Sequence, residues 1–250
     1  MGEFRFQRFG LRQDHSGMKI CTDATLFGAM APLAGGERVL DIGTGSGLLA
    51  LMLMQLGAGS VHGVELSDDA CRDARFNFTR SPWPERLRLS QGPIQDYAAI
   101  SDQRYDLVIS NPPFFEQHQG SRNPQRHLAR HSDHLPYREL VQAAARLLAD
   151  DGLLYLLIPR HAVTRLLLLA REQGLHPAGR CHFTPFRDRP GKVTALVLCR
   201  RPRAFVDRRL VIYNAPRDYS AESARYLGPF LLRFAETDPT RVTAAPCPGR

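Results

Sequence analysis

Apolar and polar positions change period repeatedly along this chain, and the block lengths are those of strands and helices in turn. The apolar runs at 38–43, 61–65, 105–110 and 153–158 have strand length and β-branched content. Residues 86–91 alternate with period two and read as a further strand. Between these lie runs of helix length at 48–56, 68–79, 137–149 and 162–172. Asp150-Asp151-Gly152 reads as the stop of the third helix. Residues 175–183 and 192–199 read as an antiparallel hairpin across a Pro/Arg/Gly loop. Strands alternating with helices predict an α/β fold, Rossmann-like and doubly wound, with a mostly parallel seven-stranded sheet.

The flanks break this rhythm. Residues 1–36 carry Phe4, Phe6 and Phe9 and then a helix-like run from Asp23 to Met30. Residues 204–236 carry a strand-like run, 205–213, and a helix-like run, 221–234. Residues 237–250 are rich in Pro, Thr and Ala and read as a disordered tail. The expected organisation is an N-terminal segment over 1–36, a core over 37–203, a strand–helix appendage over 204–236 and the tail.

Two motifs sit at predicted strand ends, where open α/β sheets place their chemistry. The first is Asp41-Ile-Gly-Thr-Gly-Ser-Gly47, at the turn from first strand to first helix. Glycines there let a backbone approach a ligand closely. The dinucleotide fingerprint wants its third glycine at position 48, but this chain has Leu48 and places the glycine at 47. Asp41, before the first glycine, can reach the amino-acid end of S-adenosylmethionine, directly or through water. Glu65 ends the next strand and can accept both hydroxyls of a ribose, with Leu66 after it. Gly92-Pro-Ile-Gln-Asp96 reads as a loop after the third strand, with Asp96 facing an adenine amino group and Ile94 beside the ring. The candidate cofactor set is therefore Asp41, Gly43, Thr44, Gly45, Gly47, Glu65, Leu66, Ile94, Asp96 and Asn111. A bare strand–helix turn without ligand is the plain alternative.

The second motif is Asn111-Pro112-Pro113-Phe114, after the run Tyr105–Ser110. Asn111 offers a side-chain carbonyl, Pro112 a backbone carbonyl, and the Pro–Pro pair stiffens the backbone carrying both. Phe114 adds a flat face. Two fixed acceptors beside an aromatic plate suit a flat, amino-bearing ring and methyl transfer onto its nitrogen. A Pro–Pro turn capped by Asn is the structural alternative.

Residues 115–134 carry Arg122, Arg126 and Arg130 with His118, His127, His131 and His134. A loop this long beside a transfer site fits contact with phosphates. Metal binding is a rival reading, since His127 and His131 can share a helix face, but no third ligand is placed with them; no metal is expected. Net charge is +8, with 33 basic residues of which only Lys19 and Lys192 are lysines. The sign suits a polyanion, although an arginine bias can also reflect codon composition. The five cysteines are scattered and form no C-x-x-C pair, so a reducing cytoplasm is the expected setting. The N-terminus has no apolar leader core, and no apolar run is long enough to span a bilayer.

With these residues in place, the chain resembles the bacterial tRNA adenine-N6-methyltransferase family that modifies valine tRNA at the adenosine 3′ to the anticodon. The resemblance runs from Phe4 to about Phe234. It includes Met18–Ala29, Asp41–Gly47, Glu65, Asn111–Phe114, Asn123–Arg126 with Ala129-Arg130, Asp207–Ile212 and Tyr219–Glu222. It implies S-adenosyl-L-methionine as cofactor, tRNA as partner, and a cytoplasmic enzyme. It also implies an N-terminal segment over the cofactor, with Lys19, Thr22 and Asp23 near the site. Asn-Pro-Pro-aromatic motifs also serve enzymes acting on DNA adenine, rRNA guanine and protein glutamine. A glutamine-N5-methyltransferase carries a helical domain before its glycine motif, and only 40 residues precede Asp41 here. A non-catalytic RNA-binding relative would show an eroded Asn111 or glycine turn, and neither is seen.

Overall fold

The computed structural model describes residues 3–15, 19–113 and 135–235. Phe114, Arg122, Arg126 and Arg130 lie outside these, as do residues 236–250. In chain order the elements are β1 (Phe4–Arg5), β2 (Gly10–Leu11), α1 (Thr22–Ala29), β3 (Arg38–Ile42), α2 (Leu48–Gln55), β4 (Ser60–Glu65) and α3 (Asp68–Thr79). There follow β5 (Leu87–Gln91), α4 (Ile94–Ile100), β6 (Tyr105–Ser110), α5 (Tyr137–Leu147), β7 (Leu148–Pro159) and α6 (Val163–Glu172). Last come β8 (His176–Thr184), β9 (Val193–Cys199), β10 (Val206–Val211), β11 (Tyr213–Ala215), β12 (Asp218–Tyr219) and α7 (Ala221–Leu227).

One sheet of eight strands organises the molecule, in the order β10-β8-β9-β7-β6-β3-β4-β5. Every neighbouring pair is parallel except those made by β9, which runs against β7 and β8. The central strands are buried on both faces, which is why they read as unbroken apolar runs. Val39, Leu107, Ile109, Tyr155 and Leu157 face one layer with α1, α2 and Phe78 of α3. Leu40, Ile42, Val108, Leu154 and Leu156 face the other, with α4, α5 and α6. The strand period of two thus feeds two cores from one sheet.

The sheet has eight strands where the sequence pattern counts seven. Val206–Val211 pairs with β8 in parallel register from Val206↔Gly179 to Val211↔Thr184. The run reads as strand-like but falls in the expected appendage; as an edge strand it buries mainly Leu210, so nothing local ties it to the sheet. Asp150-Asp151-Gly152 is not a loop after a helix: α5 ends at Leu147, and β7 runs through these residues. A Cβ on Gly152 would stand 2.9 Å from the Tyr105 carbonyl oxygen, so only glycine lets the strands approach there. Residues 94–96 are not loop either, but the first turn of α4. The helix expected over 221–234 stops at Leu227, because Pro229 cannot continue it. The chain's two flanks meet: Phe6 bridges Leu231, and the Gln7 amide donates to the Phe230 carbonyl at 2.8 Å.

Candidate active site

Seven strands point the same way, so their C-terminal ends form one edge, along which the predicted motifs lie side by side. Ile42 of β3 is in register with Val64 of β4 and with Ser110 of β6, while Glu65 is in register with Gln91 of β5. The next residue on each strand is therefore Gly43, Leu66, Gly92 or Asn111 at neighbouring positions. The Ser110 hydroxyl, buried, donates to the Ile42 carbonyl at 2.7 Å. That bond clamps the start of Asn111-Pro112-Pro113 to the strand that leads into the glycine turn.

The turn itself is built by tertiary contacts. Gly43, Gly45 and Gly47 have φ of 69°, 59° and 86°, the left-handed region that glycine enters without penalty. Gly43 and Gly45 would meet nothing within 4 Å if they carried a Cβ, so this stretch of backbone presents an open face. Gly63, in mid-β4, is pressed by the loop, with Thr44 Cγ2 2.8 Å from where its Cβ would be. Asp41 is fully buried, and its Oδ2 accepts from the Thr44 hydroxyl at 2.6 Å. Glu65 Oε2 accepts from the Gly45 amide at 2.8 Å, and Oε1 from the Ser67 amide at 2.9 Å. Each Glu65 oxygen has a second lone pair left for a ribose hydroxyl.

Asp41 Oδ1 is buried and without a hydrogen-bond partner among the described residues. An orphaned buried acceptor is costly and calls for a donor such as water or the ammonium of an amino acid. Burial, reinforced by the Glu65 charge, outweighs the Thr44 hydrogen bond and the weaker pull of the nearby Ala50 backbone amide and pushes the Asp41 carboxyl up to about 7. The folded chain then holds a proton there that the unfolded chain releases at ordinary carboxylate pH. Its contribution to stability is full below that range and falls as pH rises toward about 7. Urea unfolding at pH 5 and pH 8 should show a smaller loss across this window in Asp41→Asn than in the unsubstituted chain. Equal losses would remove Asp41 from the account.

The remaining predicted residues are placed as follows. Asn111 is half-buried, Pro112 buried and Pro113 exposed at the end of β6. Leu66 is 49% exposed next to Glu65, Ile94 is buried, and Asp96 is exposed in the first turn of α4. Thr22 and Asp23 open α1, whose N-cap is Cys21. Burial raises the Asp23 carboxyl. The Thr22 hydroxyl pairs with the Tyr213 hydroxyl at 2.9 Å. Lys19 is exposed and donates to the Gln13 carbonyl at 2.7 Å, so its ammonium is held on the N-terminal segment.

Two groups escaped the sequence reading. Asn77 of α3 is buried and donates to the Arg12 and Ser46 carbonyls, each at 2.8 Å, while accepting from the Arg12 amide at 2.8 Å. It ties the N-terminal segment to the glycine loop; a lone Asn on an amphipathic helix gave no sign of this. Tyr213 was missed as well, although its place at the end of a strand-like run was available as a signal. Among the described residues no group of three or more His, Cys, Asp or Glu is arranged to hold a metal, and no helix is long and apolar enough to cross a membrane.

Known proteins match this arrangement. The family model described as methyltransferase small domain matches residues 21–172. The tRNA1(Val) (adenine(37)-N6)-methyltransferase of Aeromonas hydrophila is 39% identical over 236 residues, 92% of this chain and 98% of that relative. Its namesake in Cytophaga hutchinsonii is 36% identical, with the same two coverages. A solved structure described as a predicted O-methyltransferase, from Agrobacterium tumefaciens, shares the fold with a TM-score of 0.64 at 15% identity, covering 82% of this chain and 94% of its own. The open glycine backbone, the orphaned Asp41 oxygen and the Glu65 lone pairs suit S-adenosyl-L-methionine, the cofactor of this class. From the Asp41 turn to the Asn111 end of β6, the chain belongs to the methyltransferase small-domain family and, within it, to the tRNA1(Val) (adenine(37)-N6)-methyltransferases.

Proposed function

We propose that this chain methylates N6 of an adenosine in tRNA, adenosine 37 on the 3′ side of the anticodon of valine tRNA. The observation that carries the reading is the Ser110–Ile42 clamp, which sets Asn111-Pro112-Pro113 beside the open glycine turn. S-adenosyl-L-methionine supplies, when bound, an electrophilic methyl group on a sulfonium. Asp41, the Gly43–Gly47 backbone, Glu65, Leu66, Ile94 and Asp96 are the residues that would hold it, with Lys19, Thr22 and Asp23 on the covering segment. Asn111 and the Pro112 carbonyl accept the N–H groups of the amine. An exocyclic amine is a weak nucleophile because its lone pair is spread into the ring. Two acceptors stabilise the positive charge that grows on nitrogen as the new bond forms. Phe114, next in the chain, is assigned the stacking face on its sequence position. The target base has to leave its stack to enter such a site.

Total unmodified tRNA incubated with labelled cofactor, digested to nucleosides and resolved by mass spectrometry, should yield N6-methyladenosine in one tRNA. Label on rRNA or on a protein glutamine instead would overturn the substrate. A second expectation concerns Arg126, fifteen residues after Asn111 in the chain. Affinity for tRNA should fall steeply with salt, and Arg126→Ala should reduce the slope of log K against log salt by roughly 0.9, the value for one phosphate contact. A salt-independent affinity would make the net charge of +8 a compositional bias.

A further inference from the structure

The edge that carries the motifs continues past Asn111, along β7, β9, β8 and β10. We propose that this second half is a track for the tRNA, and that Phe186, Tyr213, Tyr219 and Phe234 form a platform on which a nucleotide other than the target adenosine stacks. The inference rests on the tRNA reading above and adds a second contact point to it.

The four rings form a chain. Phe186 follows β8, and its centroid lies 5.8 Å from that of Tyr213, which follows β10. Tyr213 stacks on Tyr219 at 5.0 Å, and Tyr219 lies 6.0 Å from Phe234. All four are half-buried. A hairpin as short as β11–β12 is not stable alone, so these rings also hold it on the sheet. A purely structural cluster has no need of charge on its outer side, and this one has it. The Arg233 guanidinium lies over Tyr219 at 5.0 Å and over Phe234 at 5.3 Å, while Arg189 lies over Phe186 at 5.5 Å. Arginines on aromatic faces at an exposed edge are what a nucleotide meets on a stacking surface with a phosphate beside it.

Charge along the edge supports the same occupant. The turn after β7 brings Arg160. The 185–192 loop adds Arg187 and Lys192 to Arg189, against the single acid Asp188. The hairpin turn adds Arg217 against Asp218, and Arg217 sits at φ 66°, a conformation that favours glycine. On the other half of the edge, around the glycine turn, the end of β4 carries Glu65 and the first turns of α3 and α4 carry Asp68, Asp69 and Asp96 instead. Four strand spacings of about 4.8 Å separate β6 from β10, so the platform stands roughly 19 Å from the transfer motif across the sheet. A single amino-acid side chain does not span that distance; a folded RNA does.

The test uses the full chain and an unmodified valine tRNA transcript. Binding is measured by filter retention over a range of salt, and methyl transfer is followed at saturating cofactor. Tyr219→Leu should raise Kd and KM for tRNA about ten-fold, within the range seen for losing one base stack, and leave kcat near its original value. Tyr219→Phe keeps the ring and should stay within about two-fold. Arg233→Gln should lower the salt slope by roughly 0.9. Their ring and guanidinium contacts are to Tyr213, Phe234 and the Arg217 carbonyl, away from the glycine turn, so cofactor affinity, read by calorimetry, should not move in any of the three. If the unsubstituted chain methylates tRNA while Tyr219→Leu and Arg233→Gln bind it unchanged, the platform is refuted and the tRNA reading stands. If the unsubstituted chain neither binds nor methylates tRNA, the tRNA reading falls and the platform with it. Should Tyr219→Leu fail to fold, the exposed Arg233→Gln decides.

Discussion

Asn111→Ala is expected to lower methyl transfer by about 10²–10³-fold, the usual cost of deleting one group aimed at developing charge. Cofactor affinity should change little. The division follows from the geometry. Asn111 sits one residue beyond the Ser110–Ile42 clamp, while the glycine turn and Glu65 are held by their own contacts on β3 and β4. The Gly43 amide, for example, donates to the Val64 carbonyl at 2.8 Å with no help from β6. Single-turnover label transfer gives the rate, and calorimetry gives the affinity. Turnover equal to the unsubstituted chain would sink the acceptor role. Loss of cofactor binding would show that Asn111 belongs to the cofactor site first.

The second large effect is on stability. Gly47→Ala should destabilise the chain by about 2–5 kcal/mol, the sum of a left-handed backbone and an overpacked contact. Gly47 is buried at φ 86°, and a Cβ there would lie 2.4 Å from Phe78 Cε1. The Phe78 ring is itself buried in the layer between the sheet and α3, so it has little room to withdraw. For a domain of this size the loss corresponds to roughly 4–20 °C in Tm. Gly43→Ala gives the comparison. That residue shares the backbone conformation but faces open space, so its stability cost should be the smaller and its effect on cofactor affinity the larger. Equal melting temperatures for the two variants would mean that Phe78 yields.

By itself the sequence determined the elements that bury apolar area on a regular period. β3, β6 and β7 are buried on both faces, and α2 on every side, so their composition announces them. It also determined which residues stand at the strand ends, because Gly and Pro act locally: the turns at 43–47 and 111–113 need those residues for their own backbone. What no local pattern carries is which distant groups meet. The strand-like run of β10 was legible, but not its pairing with β8, because an edge strand that buries little carries no mark of the sheet it joins. The Asn77–Ser46 tie and the Thr22–Tyr213 pair join segments far apart in the chain, and polar side chains at such points carry no periodicity. The orphaned oxygen of Asp41 and its raised pKa exist only once the sheet has closed around it. Tertiary structure decided these features because burial and proximity, rather than residue type, set the hydrogen-bond partners and the charge that a side chain keeps.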